Sequence, residues 1–337
     1  MKYDYLVFIG RFQPFHLGHK EVVDRALSMS ERVIMLVGGF GKPRSPRNPW
    51  TFEERRDMIR AVYGNNRNLI IQPIKDYTYN DNLWLKQVQK TVTELVLDNG
   101  TSFNPNGMND YKIGLIGCEK DHTSYYVNLF PQWGNKSVEF VNPINATDIR
   151  RVLFEDSEIP AVFLPDKVID YLCTDPVIET LQEEYRYYKH YRQQFNNNPY
   201  PTQHLTADAL VTQSGHVLLI QRRSEPGKGL WALPGGFKHD TETFKQAALR
   251  ELKEETKLKV PLPVLEGSIT KNFTADAPHR SERGTVVSQV FRIELKAGDL
   301  PKVKAADDAM DAKWVPLSEV KESNMFEDHY HIIRELV

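Results

Sequence analysis

Apolar residues occur in two alternating arrangements along the first half of the chain. Short continuous apolar runs predict strands near 5–10, 32–38, 69–72, 112–117 and 138–141. Apolar residues at helical spacing predict helices near 18–29, 51–63, 82–98, 121–130 and 147–154. Strands that alternate with helices are typical of a parallel sheet covered on both faces. We therefore expect an N-terminal α/β domain with a doubly wound parallel sheet.

The pattern changes near residue 196. Residues 165–194 still have helical spacing, but the sequence Asn-Asn-Asn-Pro-Tyr-Pro at 196–201 interrupts it. Beyond Leu205, apolar runs alternate with turns and surround one strong helix. The chain is long for a single core. We predict domains at 1–195 and 202–337, joined by a linker at 196–201, the second with α+β structure.

The strong helix of the second half carries three carboxylates on one face. Thr243 followed by Gln246 forms a capping box that begins the helix. Glu251, Glu254 and Glu255 are spaced i, i+3 and i+4, so their like charges are neighbours and destabilise the helix unless a cation lies between them. A hard cation such as Mg²⁺ suits these oxygen ligands, and Mn²⁺ is also possible. A stretch rich in Glu, Lys and Arg would otherwise be a solvated helix face.

This region resembles the Nudix box of pyrophosphohydrolases, G-x5-E-x7-R-E-U-x-E-E-x-G-U, where U is a bulky aliphatic residue. The matching positions are Gly236, Glu242, Arg250, Glu251, Leu252, Glu254, Glu255 and Leu258. The resemblance implies an α+β Nudix sandwich in which Glu251, Glu254 and Glu255 bind the metal and Gly236 borders the substrate. It also implies that Glu242 supports the ligands or the base and that Arg250 orients a carboxylate. Lys257 replaces the last Gly, so we expect a strained or differently closed helix end and an intact metal site.

The first predicted strand is followed by a loop that ends at a helix N-terminus, where free N–H groups favour a bound phosphate. This loop, Gly-Arg-Phe-Gln-Pro-Phe-His-Leu-Gly-His at 10–19, resembles the G-x-F-x-P-x-H-x-G-H motif of nucleotidylyltransferases. The resemblance implies that His16 and His19 contact the ATP phosphates and that Arg11 contacts the transferred group. Gly10 and Phe12 are expected to border the substrate.

A later helix start supplies the partner motif of the same family, Ser/Thr-x-x-Arg. Thr147 and Arg150 fall on it, after the strand predicted at 138–141. The resemblance implies that Thr147 caps the helix beside the nucleotide and that Arg150 reaches phosphate. Asn145 or Ala146 stands where relatives commonly carry Ser. This removes a hydroxyl, so the sequence leaves open whether one contact with ATP is made.

The segment 73–84 resembles the nicotinamide-binding segment of archaeal-type nicotinamide mononucleotide (NMN) adenylyltransferases. There an Asn and a Trp hold the base, which implies this role for Asn80 and Trp84. A cationic pyridinium ring stacks well on an indole. Trp84 could instead be an ordinary core aromatic. Nicotinate mononucleotide or pantetheine phosphate therefore stays open as the acceptor.

The segment 276–288 resembles part of the ADP-ribose pyrophosphatases, which implies that Arg280 and Arg283 meet phosphate or ribose. Glu282 is one candidate for the general base. The same segment resembles transcription regulators in which a Nudix domain senses ADP-ribose-like ligands. The second domain could therefore be a sensor, or could hydrolyse another nucleoside diphosphate derivative.

Taken together, the two halves resemble the bifunctional NMN adenylyltransferase and Nudix hydrolase family of bacteria. This implies ATP, NMN, NAD and ADP-ribose as substrates and products. The balance of 43 Lys and Arg against 45 Asp and Glu gives no argument for nucleic acid or a membrane surface. Without a targeting segment at the first apolar run, we expect a cytoplasmic protein. Its oligomeric state is open, a homo-oligomer included.

Overall fold

The structure, a computed structural model, describes residues 3–99, 111–117, 129–138 and 145–337. It divides into two compact units, 1–182 and 183–337. Most of the helix predicted at 121–130 and of the strand predicted at 138–141 lies outside the described residues. Within the described part of the chain, no helix is long and apolar enough to cross a membrane.

A five-stranded parallel sheet forms the centre of the first unit, in the order β3-β2-β1-β4-β5. The strands are β1 (Tyr3–Gly10), β2 (Ser30–Val37), β3 (Leu69–Pro73), β4 (Ile113–Gly117) and β5 (Gly134–Ser137). The helices are α1 (Leu17–Met29), α2 (Phe52–Tyr63), α3 (Asp81–Asn99), α4 (Ala146–Glu155), α5 (Asp166–Leu172) and α6 (Val177–Gln193). The predicted α/β fold is confirmed, but β5 has no hydrophobic pattern and was not predicted at 134–137.

Apolar clusters cover both faces of this sheet. Leu6 and Phe8 of β1 belong to one cluster, whereas Tyr5 and Val7 belong to the other, because successive strand residues point to opposite faces. The chain runs outward from β1 through β2 on one side and through β4 on the other. Such a switch in strand order opens a crevice at the carboxyl ends of the strands, where ligands of this fold class bind. The loop after β1 lies at that crevice.

The second unit contains a mixed sheet of seven strands. They are β6 (Gln203–Gln213), β7 (His216–Arg222), β8 (Trp231–Ala232), β9 (Gly235–Phe237), β10 (Ile269–Ala275), β11 (Thr285–Glu294) and β12 (Ala309–Pro316). Its other helices are α7 (Phe244–Thr256), α8 (Leu262–Gly267) and α9 (His329–Leu336). Strands β6 and β11 are parallel, and the remaining pairs are antiparallel. Ala247 and Ala248 of α7 pack in the same cluster as Ala209 of β6, which fixes α7 on the sheet.

Both ends of α7 follow from local sequence. Thr243 and Gln246 form the predicted reciprocal capping box. At the other end Lys257 adopts the left-handed conformation, with φ of 47°, and its N–H donates to the carbonyl of Lys253 at 3.0 Å. The helix closes as a Gly would close it, at a cost of about 1 kcal/mol for a side chain in this conformation.

Helix α6 continues through the division between the compact units. Residues 183–193, which the sequence pattern placed in the first domain, are part of the second unit. Tyr188 is buried there, with an exposed fraction of 3 %. The linker at 196–201 stays a prediction of where the two domains are joined in sequence.

Candidate functional site

Two histidines begin α1 and form a reciprocal cap. Nδ1 of His16 accepts the backbone N–H of His19, and Nδ1 of His19 accepts the backbone N–H of His16, both at 3.3 Å. Their rings stack at 3.6 Å. An Nδ1 atom that accepts cannot carry a proton, so each neutral ring is protonated at Nε2. The pair therefore lies at a helix N-terminus, where anions bind favourably, with His19 partly exposed and His16 only 2 % exposed.

Gly10 and Phe12 support this histidine pair. The Phe12 ring is buried, with 1 % of the residue exposed, and lies edge-on to His19 at 4.8 Å. A Cβ atom at Gly10 would lie 2.8 Å from the Phe12 ring, so Gly permits this packing. The Phe12 side chain, predicted to border the substrate, has almost no surface left for a nucleotide and acts as a support.

Arg150 of α4 reaches the same loop. Its Nη1 donates to the carbonyl of Gln13 at 2.7 Å, and its Nη2 donates to Oγ1 of Thr147 at 3.3 Å. The structure thus joins the two predicted motifs. The expectation that Thr147 caps the helix is wrong: Asn145 is the cap, because its Oδ1 accepts the N–H of Thr147 at 2.9 Å. The short Asn side chain provides the acceptor that a hydroxyl would otherwise supply.

Asp76 holds two cations beside the loop after β1. Its carboxylate accepts from Arg11 at 3.1 Å, from Lys42 at 2.8 Å and from the N–H of Gly39 at 3.1 Å. Burial alone would raise the pKa of Asp76, but Lys42 and Arg11 outweigh it and hold this pKa below its usual range. Asp76 therefore stays ionised and orients Arg11, which is 43 % exposed and can contact a ligand.

Arg55 fastens the backbone beneath this site. The residue is 1 % exposed, and its Nη1 donates to the carbonyls of Arg11 at 2.6 Å and Gly38 at 2.7 Å. Burial lowers the pKa of Arg55 to about 10. It ties the ends of β1 and β2 together. Sequence reasoning missed Asp76 and Arg55, because their partners lie far away in the chain.

Asn80 and Trp84 lie at the start of α3. Oδ1 of Asn80 accepts the N–H of Leu83 at 3.1 Å, so Asn80 caps this helix. The Trp84 indole is partly buried against the apolar cluster on one face of the sheet, with the Phe130 ring 6.0 Å away. Both residues therefore have a structural role, and part of the indole remains exposed.

In the second unit, Arg250 joins the carboxylates of the α7 face. It binds Glu242 through two bonds of 3.0 and 2.7 Å, and its Nη1 donates to Glu251 at 2.8 Å and Glu254 at 2.9 Å. The hydrogen bonds from Arg250 lower the pKa of Glu242 to about 2. The cation that the crowded carboxylates require is therefore supplied in part by Arg250 itself.

Two glycines allow the carboxylates to approach the β8–β9 turn. A Cβ atom at Gly236 would lie 2.5 Å from Oε1 of Glu251. Oε2 of Glu255 accepts the N–H of Gly235 at 3.0 Å. Burial, with the nearby charges of Glu251 and Asp208, raises the pKa of Glu255 to about 8. Burial also raises the pKa of Glu251.

These carboxylates fit a divalent cation by their chemistry. In the part of the chain that the structure describes, three or more His, Cys, Asp or Glu side chains do not converge in a ready-made metal site. Glu251 and Glu254 are bound to Arg250, and Glu255 is turned to Gly235. Burial nevertheless disfavours the ionised form of Glu255 and raises its pKa, so a negative charge on this carboxyl lacks a compensating partner in the present arrangement. A hard cation with oxygen ligands would supply that compensation.

A cavity of about 360 Å³ lies beside the carboxylates. It is large enough for a nucleotide-sized ligand. Its charged lining combines carboxylates, which include Glu251 and Glu255, with arginines. The arginines are Arg222, Arg223, Arg280 and Arg283, and the aromatic lining is Tyr187, Phe237 and Phe326.

Arg280 and Arg283 both line the cavity but differ in their partners. Arg280 is buried and donates to both carboxylate oxygens of Asp328, at 2.8 and 2.7 Å. This bidentate pair anchors the start of α9, and the contact of Arg280 with phosphate or ribose stays a prediction. Arg283 contacts Glu327 at 3.4 Å and lies 5.9 Å from the Phe237 ring centre. Glu282 does not line the cavity, which weakens it as a general base.

Several cavity residues were not found from the sequence. Asp208 of β6 is buried and accepts from the hydroxyl of Ser288. Burial lowers the pKa of His329, whose Nδ1 accepts the N–H of Leu233 at 2.9 Å, so this imidazole is neutral. Arg222 is the last residue of β7, and no sequence motif marks it.

Family comparisons match each half of the chain separately. A cytidylyltransferase-like family matches residues 7–152, and the NUDIX domain matches residues 202–336. The chain is 35 % identical over 190 residues to a nicotinamide/nicotinic acid mononucleotide adenylyltransferase of Acinetobacter baylyi, covering 55 % of this chain and 95 % of that protein. It is 36 % identical over 131 residues to an ADP-ribose pyrophosphatase of Methanocaldococcus jannaschii, covering 39 % of this chain and 71 % of that protein.

One solved structure is similar over both halves. A bifunctional NMN adenylyltransferase/ADP ribose pyrophosphatase from Francisella tularensis, complexed with AMP and a manganese ion, aligns with a TM-score of 0.90 at 33 % identity. The alignment covers 99 % of this chain and 98 % of that one.

Proposed function

The chain belongs to the family of bifunctional NMN adenylyltransferases/ADP-ribose pyrophosphatases, and from this premise we propose how its two units act. The first unit transfers an adenylyl group from ATP to NMN, giving NAD and pyrophosphate. The second unit hydrolyses ADP-ribose to AMP and ribose 5-phosphate. The observation that supports this assignment best is the pairing of a histidine-capped phosphate loop in one unit with a carboxylate-lined cavity in the other.

Adenylyl transfer requires positioning and charge neutralisation, and no protein nucleophile. An oxygen of the NMN 5′-phosphate attacks the α-phosphorus of ATP, the bond to the bridging oxygen breaks, and pyrophosphate leaves. His16 and His19 would donate from Nε2–H to phosphate oxygens at the start of α1, a role that the partial exposure of His19 supports. Arg11, held by Asp76, and Arg150, held at the same loop, are placed to balance the charge of the transferred group. Mg²⁺ bound to the triphosphate would neutralise further charge.

The acceptor is assigned to NMN through the family and through α3. Trp84 keeps part of its indole exposed at the helix start, where a pyridinium ring can stack. Asn80 supports it by capping the helix and presents its carboxamide at the same end. Nicotinate mononucleotide is the second candidate, because the Acinetobacter relative carries both mononucleotides in its name.

Hydrolysis of ADP-ribose uses the α7 face. Glu251, Glu254 and Glu255 would hold Mg²⁺, which supplies an activated water and screens the diphosphate when bound. Arg250 and Glu242 set the directions of these carboxylates. Arg222 and Arg283 in the cavity wall are placed to bind the diphosphate.

Two assays test the proposal. The purified chain is incubated with ATP, Mg²⁺ and NMN, nicotinate mononucleotide or pantetheine phosphate, and dinucleotide formation is followed. Hydrolysis of ADP-ribose is followed in parallel with and without Mg²⁺. We expect NAD formation from NMN and metal-dependent release of AMP. A second unit that binds ADP-ribose without hydrolysing it would instead be a sensor, and the hydrolase assignment would be wrong.

A further inference from the structure

The wall of the hydrolase cavity includes a residue from outside the region that matches the NUDIX domain. The match begins at residue 202, whereas Tyr187 lies on α6 and lines the cavity. Residues 183–193 of this helix belong to the second compact unit. The cavity is therefore lined in part by a helix that lies outside the matched region of this chain.

Ring contacts connect Tyr187 to the strand that borders the carboxylates. Tyr187 stacks on Tyr191 at 6.1 Å with 23° between the rings. Tyr191 lies 5.3 Å from His204 of β6, and His204 lies 6.0 Å from Phe237 of β9. Phe237 also lines the cavity and is 43 % exposed, although it is a large apolar side chain. Of these four rings, those of Tyr187 and Phe237 line the cavity, and we refer to these two rings as its ring surface.

Polar contacts hold α6 against the loop before β8. Oε1 of Glu184 accepts the N–H of Gly227 at 3.2 Å and the hydroxyl of Tyr188 at 3.3 Å. Glu225 and Pro226 of this loop line the same cavity. The position of Tyr187 is therefore set by the part-buried hydrogen bonds of Glu184 and by the buried Tyr188 beside it in the helix.

The charged and aromatic parts of the cavity suit different parts of one ligand. Glu251, Glu255 and Phe237 all line the cavity, so the carboxylates and the ring surface face the same space. The guanidinium carbon of Arg283 lies 5.9 Å from the centre of the Phe237 ring, so a positive charge borders the ring surface. Burial and the charge of Arg283 lower the pKa of His204, so the imidazole that contacts Phe237 adds no charge beside the ring surface at neutral pH. An uncharged aromatic surface favours a planar base over a phosphate.

We propose that Tyr187 and Phe237 form the surface on which the adenine base of the hydrolase substrate lies, so that α6 takes part in substrate choice. This inference rests on the proposed hydrolysis of ADP-ribose. The ring surface would give the enzyme affinity for a nucleoside diphosphate, while the adjacent carboxylates act on the diphosphate.

The test compares two product inhibitors in the full-length chain. AMP carries the base and ribose 5-phosphate does not, so the ratio of their inhibition constants reports contact with the base. Tyr187→Ala is expected to raise the KM for ADP-ribose and the inhibition constant for AMP about tenfold, as when a base loses one stacking partner. The inhibition constant for ribose 5-phosphate should not change, and Tyr187→Phe should restore the affinity for AMP.

Two further variants complete the experiment. Phe237→Leu should also raise the inhibition constant for AMP. This variant keeps the proposal testable if Tyr187→Ala fails to fold. Tyr200→Ala removes a tyrosine that is 81 % exposed and should behave as the wild type. Equal weakening of both inhibitors, or no change in AMP binding, would overturn the base assignment. If the unmodified chain does not hydrolyse ADP-ribose at all, it is the proposed function that fails.

Discussion

Glu184 is predicted to make the second unit less stable as the pH rises. Burial, followed by the nearby charges of Glu282 and Glu225, raises the pKa of Glu184 from 4.5 to about 7. Its other close groups are the Tyr188 hydroxyl and the N–H of Gly227, and both can donate to its carboxylate. A raised folded-state pKa means that the folded protein keeps a proton that the unfolded chain has lost. Stability from this group is therefore complete below pH 4.5 and is lost as the pH rises through about 7.

The shift sets the size of the effect. One pKa unit corresponds to about 1.4 kcal/mol, so the upper limit is about 3 kcal/mol. Glu184 retains some exposure, and solvent screening reduces the expected contribution to about 1–2 kcal/mol. Glu184→Gln removes the charge and keeps an acceptor for Gly227. At pH 8 this variant should therefore unfold roughly 3–6 °C above the wild type.

Calorimetry of the full chain at pH 5 and pH 8 measures this difference, and loss of ADP-ribose hydrolysis on heating assigns the transition to the second unit. The gain in melting temperature should be present at pH 8 and nearly absent at pH 5, where the wild-type carboxyl is protonated. Glu183→Gln is the matched control, because the neighbouring Glu183 is exposed. The same gain at both pH values, or a loss at pH 8, would refute the reasoning.

Three further predictions concern the sites themselves. His19→Ala should lower NAD synthesis on the order of a hundredfold, because it removes a donor to the phosphates. ADP-ribose hydrolysis should not change, and near-normal NAD synthesis would show that His19 is purely structural. Trp84→Ala should raise the KM for NMN about tenfold and leave the KM for ATP unchanged. An equal rise in both KM values, together with a lower melting temperature, would indicate that Trp84 is a core residue. Glu255→Gln should abolish hydrolysis in steady-state assays and leave adenylyl transfer within about twofold, since the two sites share no residue; a loss of both activities would show coupling.

The parts of the structure that were predictable depend on residues close together in sequence. The capping box of Thr243 and Gln246 spans one helical turn, and so does the carboxylate spacing of α7. The strand, loop and helix around His16 are equally local. In each case a few neighbouring residues determine the backbone, so the pattern predicts the element directly.

The parts that were not predictable depend on long-range partners. Arg280 resembles a substrate contact in the sequence, but its carboxylate partner Asp328 is 48 residues away. The structural use of Phe12 depends on how its ring packs against His19 in three dimensions. The assignment of residues 183–193 to the second unit likewise depends on contacts with Gly227 and His204, which no helical pattern contains.

Lys257 separates two kinds of position within a signature motif. The carboxylates of α7 provide charge, and a neutral replacement cannot supply it. Position 257 provides only a backbone shape, which Lys adopts at a cost of about 1 kcal/mol. A fold with a stability margin of about 5–15 kcal/mol tolerates such a cost. A search that demands the final Gly would therefore discard a chain that keeps every charged position of the motif.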